Sequence, residues 1–271
     1  GAGGWIFYNT NVLNTYRTEP EREARTADYE KTLLAFEKLP QPRIMEVKLA
    51  VDLYPRETRA ETDGSYVIEN RTGKPLDAMH IRWVAPLKML SLEIPGATLA
   101  KEYAEHDYRI YSLQPAMAPG ERRTVRFKTR LEERGFPNSR PLTRIVENGT
   151  FINNLEISPV IGMSQDQLLQ DRAKRRKHGL PPEVRPAKLE DTSATGNHYL
   201  RNDSDWVTAE IRLTTDADQT PVAPGYAVSD TTDGTRRTLV TRTEAPILQG
   251  FSMQSARYAV KKEVWQGKDG K

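Results

Sequence analysis

The chain has 271 residues, of which 37% are hydrophobic and 28% charged, and its net charge is +3. This length and composition predict a folded protein with a sizeable core, either one large domain or two small ones. The near balance of 40 basic and 37 acidic residues argues against nucleic acid or an anionic membrane as the principal partner. The absence of cysteine excludes disulfides, thiolate metal sites and a cysteine nucleophile.

The start of the chain carries no targeting signal. No run of 18 apolar residues occurs, and Gly1 to Gly4 lack the basic and apolar regions of a signal peptide. The chain also begins without methionine. We therefore expect a processed terminus or a piece of a longer protein, with a cytosolic protein as the alternative.

A helix is predicted near the N-terminus. Thr18 is a typical N-cap, Pro20 suits an early helical position, and Glu21 completes a capping box. Apolar residues then recur at helical spacing up to Lys38, and Pro40 ends the pattern. We expect residues 1–41 to form a connector whose helix packs one stripe on a β domain of residues 42–271.

Two alternating runs follow and predict an opening strand pair. In the first, Val47, Leu49, Val51 and Leu53 alternate with polar or small residues, which is the period of a half-buried strand. In the second, Tyr66 and Ile68 share one face before the turn residues of 70–75, NRTGKP.

Further strands are predicted at short spacing, and together they indicate a mainly β fold, a β-sandwich of saddle-like antiparallel sheets. The predicted strands cover residues 79–85, 90–94, 108–113, 123–131, 144–152, 206–213, 219–227, 236–243 and 251–264. A short exposed helix is predicted near residues 164–177, where the basic cluster from Arg172 to Lys177 favours a solvated face. The region near Pro181 is the best candidate for an internal boundary.

Catalytic motifs are missing from the sequence. No two of the four histidines stand at the helical spacing of a zinc site, and no nucleophile elbow, P-loop or dinucleotide fingerprint occurs. His106, among charged residues, is expected to be a solvated loop residue. We predict neither a catalytic residue nor a metal site.

Residues 148–162, NGTFINNLEISPVIG, combine polar groups with an apolar, strand-like run. On a strand, Asn154 and Glu156 would point to the same face. A carboxylate and an amide carbonyl could together hold a charged ligand amine. The alternative is an edge strand with a solvated face.

The order of several phrases resembles the N-terminal β domain of the aminopeptidase N family of zinc metallopeptidases. The resemblance covers about Pro42 to Trp265 and depends on VKLAVDLYP, SYVIENRTGKPLDAMHIRW, LQPAMAPGERRTVRF, INNLEISPVIG, VAPGYAVSD and FSMQSARYAV. The wording GGWIFYNTNVLNTYRT, LPQP and RRKHGLPP is most similar to a bacterial subgroup in which this domain follows an ABC-type permease membrane region. That arrangement implies a periplasmic position, outside the cytoplasmic membrane.

The resemblance also implies roles for particular residues. The family's zinc motif His-Glu-x-x-His and its Gly-x-Met-Glu-Asn loop do not occur here, so zinc is expected in a downstream peptidase domain. In the family, a glutamine and a glutamate of this domain help bind the free amine of the peptide. The matching positions are Asn154 and Glu156, where this chain reads NLE and the family commonly reads QFE.

These observations lead to one preferred hypothesis and one alternative. The preferred hypothesis is a non-catalytic domain that forms one wall of a peptide cleft, with the downstream peptidase domain, the substrate N-terminus and an upstream membrane region as partners. The alternative is a stand-alone β-sandwich that binds a protein or a glycan. Trp5, Trp83, Trp206 and Trp265 are too scattered in sequence to form a recognisable platform, and we expect core or domain-contact roles for most of them.

Overall fold

The computed structural model describes residues 1–135, 138, 144–182, 190, 192, 203–204, 206–261, 263 and 267. Four α-helices occur in these residues: α1 (Ala2–Phe7), α2 (Glu19–Leu33), α3 (Asn154–Ile157) and α4 (Arg172–Lys177). A π-helical stretch, Tyr8–Val12, continues α1. None of the helices in the described part of the chain is long and apolar enough to cross a membrane.

Sixteen strands account for most of the remaining regular structure in the same residues. They are β1 (Arg43–Tyr54), β2 (Arg59–Glu69), β3 (Leu76–Arg82), β4 (Lys88–Glu93), β5 (Ala97–Tyr103), β6 (Tyr108–Met117), β7 (Arg122–Glu132), β8 (Ile145–Val146), β9 (Gly149–Asn153), β10 (Val160–Ile161), β11 (Trp206–Asp216), β12 (Thr220–Val222), β13 (Tyr226–Asp233), β14 (Arg236–Arg242), β15 (Ile247–Leu248) and β16 (Ser252–Ala256). The mainly β prediction is confirmed.

The strands form one large and two small sheets. The large sheet has the order β13-β14-β11-β1-β2-β7-β4, with β15 paired to β11. One small sheet has the order β10-β3-β6-β5, and the other, which we call the small outer sheet, has the order β12-β16-β9-β8. All neighbouring strands are antiparallel except β1 and β11, which are parallel. The intervening residues provide the long crossover that a parallel pair requires.

The inner face of the large sheet packs on both small sheets and forms the main core. The predicted apolar face of β1 is confirmed, because Val47, Leu49, Val51 and Leu53 are all buried. Val47 lies opposite Tyr66 of β2, so the predicted strand pair is confirmed as well. The same core contains Met79 and Ile81, Ile152 and Met253, which come from the two small sheets.

Gly64 occupies an inward position in the middle of β2 because an aromatic ring fills the space of its missing side chain. A Cβ atom at this position would lie 2.3 Å from Cζ of Phe127 on the neighbouring strand β7. The Phe127 ring also packs against Tyr66, with ring centroids 4.9 Å apart.

Helix α2 packs on the outer face of the β10-β3-β6-β5 sheet, as predicted for the connector helix. Its Tyr29 and Leu33 form a second apolar cluster with Tyr108, Met163 and Leu168. The predicted capping box is also present at its N-terminus, because Thr18 accepts a bond from the backbone N–H of Glu21 and Glu21 reaches back to Thr18. The division between residues 41 and 42 stays a prediction.

The basic cluster around α4 is largely solvated, as predicted, since Arg172, Arg176 and Lys177 are exposed, but the prediction is wrong for Arg175. Arg175 is 1% exposed. Its guanidinium donates to both carboxylate oxygens of Glu30 on α2, at 2.7 and 2.8 Å, and to the carbonyl oxygens of Leu169 and Pro181 at 2.7 and 2.6 Å. A cluster of charges in sequence does not reveal that a buried acid on another helix pairs with one of them.

Three predicted strands have different bounds because turns interrupt them. The run 144–152 is the hairpin of β8 and β9, which are joined by the two-residue turn Glu147-Asn148. The run 219–227 divides between β12 and β13, since Gly225 has a φ of +97°. Residues 251–264 form a strand only over Ser252–Ala256 among those described. The strand β5 and most of β13 were not predicted, since their exposed residues lack an apolar alternation.

Candidate functional site

The two predicted site residues lie on a single helical turn and not on a strand. β9 ends at Asn153, whose side chain accepts a hydrogen bond from the backbone N–H of Leu155 at 2.9 Å. The Glu156 carboxylate accepts from the backbone N–H of Asn153 at 2.9 Å and completes a capping box. The expectation that Asn154 and Glu156 share one face of a strand is therefore wrong, because Asn153 starts α3 at this point.

Hydrogen bonds from the large sheet and the following residues fix this turn in place. The Thr129 hydroxyl donates to the carbonyl oxygen of Ile157 at 2.5 Å. The Tyr66 hydroxyl donates to Ser158 Oγ at 2.6 Å, and Ser158 in turn donates to the carbonyl oxygen of Asn154 at 2.5 Å. Because both ends of α3 are held by buried groups, the backbone that carries Glu156 is rigidly positioned.

Asn154 links α3 to residues 249–251 through side-chain hydrogen bonds. It is 0% exposed. Its Nδ2 donates to Gln249 Oε1 at 2.9 Å, and its Oδ1 accepts from the backbone N–H of Phe251 at 3.1 Å. The amide is thus satisfied inside the protein and presents no surface to a ligand, so its predicted role in binding stays a prediction without support from its geometry.

Glu156 lies at the surface, and its side chain is 26% exposed. Its Oε2 lies 2.8 Å from Arg144 Nη1, so one carboxylate oxygen serves both this ion pair and the cap of α3. Arg144 was not predicted as a site residue. The hairpin of β8 and β9, with its turn at Glu147-Asn148, folds it back beside α3, and the Asn-Gly pair at 148–149 was the sequence signal that could have indicated this hairpin.

The solvent face of the small outer sheet leads directly to α3. Val222, Gln254 and Phe151 form one row across β12, β16 and β9. Phe151 is 53% exposed, and other large exposed apolar residues of this face and its margin are Val146, Val222 and Tyr258. In the adjacent row Ser252 lies opposite Asn153, the cap of α3. Thus a sheet face that exposes several large apolar side chains leads to the α3 turn that carries the Glu156 carboxylate.

No metal centre is present among the residues that the structure describes. These residues contain no group of three or more histidine, cysteine, aspartate or glutamate side chains that could hold a metal ion. The zinc of the resembled family therefore has no ligand set in the described part of this chain.

The described histidines serve the packing of the fold. His80 Nδ1 lies 2.7 Å from the Tyr108 hydroxyl, and burial lowers the pKa of His80. His178 Nε2 lies 2.8 Å from Glu23. His106 was expected to be solvated, but it is buried, with its Nε2 2.8 Å from Asp28 on α2, so that prediction is wrong. His198 lies outside the described residues.

The tryptophans do not form a binding platform in the described part of the chain. Trp83 is buried in the main core, which confirms the prediction for this residue. Trp5 and Trp206 are exposed. Trp265 lies outside the described residues.

A cavity of about 370 Å³ lies between α2 and the end of β3, away from α3. Arg25 and Asp107 face each other across its wall, with Nη2 and Oδ2 3.7 Å apart. Burial raises the pKa of Asp107, although Arg25 opposes this effect. These two charged groups form an ion pair with each other. Neither Asn154 nor Glu156 lines the cavity.

Comparison with known proteins finds similarity at the level of the fold. No family model matches the sequence, and no curated protein matches it either. An M1 zinc metallopeptidase from Deinococcus radiodurans has a similar structure, with a TM-score of 0.50 and 14% sequence identity, over 83% of this chain and 45% of that one. A mutant of a Deinococcus radiodurans M1 zinc metallopeptidase bound to a Tyr-Ser-Ala substrate gives a TM-score of 0.49 and 13% identity, over 82% and 43% of the two chains.

The chain thus spans less than half the length of these solved structures. At this level of identity the similarity concerns the fold alone. The structural neighbours of this mainly β chain are M1 zinc metallopeptidases.

Proposed function

We propose that this chain is a non-catalytic β domain of a zinc aminopeptidase-like protein, and that it forms one wall of the peptide cleft. The observation that carries the proposal is the exposed apolar face of the small outer sheet, which ends at Glu156. An apolar sheet face of this kind favours a partner surface. The proposed partner is a peptidase domain downstream in the same polypeptide, and zinc is assigned to that domain.

The proposed role of Glu156 is to bind the free amine of the substrate. A substrate ammonium near the Glu156 carboxylate would form a charge-assisted hydrogen bond that an internal peptide bond cannot offer. The fixed backbone of α3 supports this role, because a pre-positioned carboxylate loses little freedom on binding. Arg144 competes for the same carboxylate, and its exposed side chain can move aside without opening the core.

The proposed location is the periplasmic side of the bacterial cytoplasmic membrane, after a membrane region of the ABC-permease type. Residues 1–16 contain no charged side chain. Seven large apolar residues of this segment are exposed: Trp5, Ile6, Phe7, Tyr8, Val12, Leu13 and Tyr16. Aromatic residues of this kind suit the boundary between a bilayer and water, which supports a membrane close to this end of the domain.

The role of Glu156 can be tested in the full-length protein with short peptides. Glu156→Gln should lower kcat/KM roughly tenfold or more for peptides with a free amine, since a charged hydrogen bond contributes about 1.5–3 kcal/mol. N-acetylated versions of the same peptides should show no such loss. Equal kcat/KM values for the variant and the wild type on free peptides would refute the assignment.

Arg144→Gln provides the matched control. It removes the competing guanidinium but keeps the Glu156 cap of α3, so kcat/KM should stay the same or rise. If Arg144→Gln instead causes the same loss as Glu156→Gln, the ion pair serves to hold the loop, and amine binding by Glu156 is refuted.

A further inference from the structure

The outer face of the large sheet carries an ordered array of charges. Three basic residues of β7 pair with acids opposite them on β2: Arg122 with Glu69 at 2.7 Å, Lys128 with Asp63 at 3.1 Å, and Arg130 with Glu61 at 2.9 Å. Each of these cations therefore has a carboxylate beside it on the neighbouring strand.

Arg126 breaks this pattern in the middle of the array. The residue opposite it on β2 is Ser65, and the residue opposite Ser65 on β1 is Lys48. Arg126 and Lys48 are both exposed, and within the described ranges neither lies within ion-pair distance of a carboxylate. Two unpaired cations thus flank one short hydroxyl side chain in a single cross-strand row.

The acids nearest to this row lie outside ion-pair distance of its two cations in the described part of the chain. Glu210, next to Lys48 on β11, pairs with Arg242 at 2.8 Å. Glu46 lies 3.9 Å from Arg122. Glu93 of β4 lies opposite Arg126 in the ladder. None of these three carboxylates forms an ion pair with Lys48 or Arg126 in the described part of the chain.

The row also forms a concavity. Two adjacent depressions, of about 320 and 310 Å³, share Lys48, Ser65 and Arg126 as lining residues. Ala50 lines the first depression, Arg212 of β11 adds a third cation at its edge, and the paired acids Asp63 and Glu210 lie on its wall. Arg212 also has no ion-pair partner among the residues described. Short residues between long basic ones leave space for a small ligand.

We propose that this row binds a phosphate group. Neighbouring strands lie about 4.8 Å apart, so the Cα atoms of Lys48 and Arg126 are separated by roughly 9–10 Å. An oxyanion above Ser65 can then accept from the Ser65 hydroxyl, the Lys48 ammonium and the Arg126 guanidinium together. Guanidinium and ammonium groups suit phosphate oxygens. The phosphate can be free in solution or part of a lipid headgroup.

Calorimetric titration of the full 271-residue chain tests this site, with inorganic phosphate as the probe and sodium chloride at matched ionic strength as the reference. Saturable binding is expected in wild type. Lys48→Gln and Arg126→Gln should each weaken it about tenfold, since each removes one charge-assisted bond. Arg130→Gln, which removes a paired cation of the same face and leaves Glu61 paired with Arg59, should leave it unchanged.

Vesicle sedimentation shows whether the site prefers free phosphate or the phosphate of a lipid headgroup. Vesicles containing phosphatidic acid are compared with vesicles of phosphatidylcholine alone, and both are tested with the same variants. Saturable binding of either probe that is lost in Arg126→Gln and kept in Arg130→Gln supports the site and identifies the source. Binding of neither probe up to about 10 mM phosphate, or equal losses in Arg126→Gln and Arg130→Gln, overturns the proposal.

Discussion

The buried ion pair between Arg175 and Glu30 is predicted to be a principal attachment of the α4 segment to helix α2. Both side chains are 1% exposed, and the guanidinium also bonds to two backbone carbonyl groups. Arg175→Met removes the cation and leaves the Glu30 carboxylate buried without a partner. Breaking a buried pair from one side costs about 3–5 kcal/mol. A protein of this kind is typically stable by about 5–15 kcal/mol, so the loss is a large fraction of the total.

Urea unfolding followed by circular dichroism measures this free energy, and the melting temperature should fall by roughly 6–20 °C. Lys128→Met is the matched control, because the Lys128–Asp63 pair is exposed on both sides. It should change the free energy of unfolding by about 0–1 kcal/mol.

The double variant Glu30→Leu with Arg175→Met distinguishes the free-energy cost of an unpaired buried charge from the cost of lost packing. With both charges removed, it should be more stable than Arg175→Met alone, although the carbonyl groups of Leu169 and Pro181 still lose their donor. A loss below about 1 kcal/mol in the single variant would refute the reasoning, as would a double variant whose loss equals the sum of the two single losses. Amide exchange of residues 172–180 would then show whether the segment stays attached.

Three other contacts lead to predictions about stability. Gly64→Ala should lower the free energy of unfolding in urea by about 1–3 kcal/mol, because the added Cβ atom would collide with the Phe127 ring. An unchanged free energy of unfolding would contradict this packing. Asn154→Ala should cost about 2–4 kcal/mol, since it leaves buried groups of residues 249 and 251 without partners; a loss below about 0.5 kcal/mol would show that these groups find other partners. Hydrogen bonds from Lys177 and, second, from His178 lower the pKa of the Glu23 carboxyl group from 4.5 to about 2. The ionised Glu23 carboxylate therefore stabilises the folded protein above pH 4.5, and this stabilisation is lost as the pH falls towards 2. The difference in melting temperature between wild type and Glu23→Gln should therefore shrink between about pH 5 and pH 2.5, and a constant difference would contradict the assignment.

Local patterns along the chain account for much of the fold. The alternation in β1 predicts its buried face because successive strand side chains point to opposite sides, and the capping box at Thr18 predicts the start of α2 from adjacent groups alone. The mainly β class follows from the same kind of local signal. Residues 148–162 are singled out in the same way, since their mixture of polar groups and apolar run is visible in the sequence.

Contacts between distant segments set the surroundings of individual polar residues. Arg175 and His106 have the sequence context of solvated charges, but their carboxylate partners lie on α2, far away along the chain. Asn154 and Glu156 differ in exposure because residues 249–251 cover one and leave the other at the surface. Strands and helix starts depend on neighbours in sequence and could be predicted. Burial and pairing depend on which distant segments meet, so the availability of a side chain to a ligand followed only from the packing of the sheets and helices.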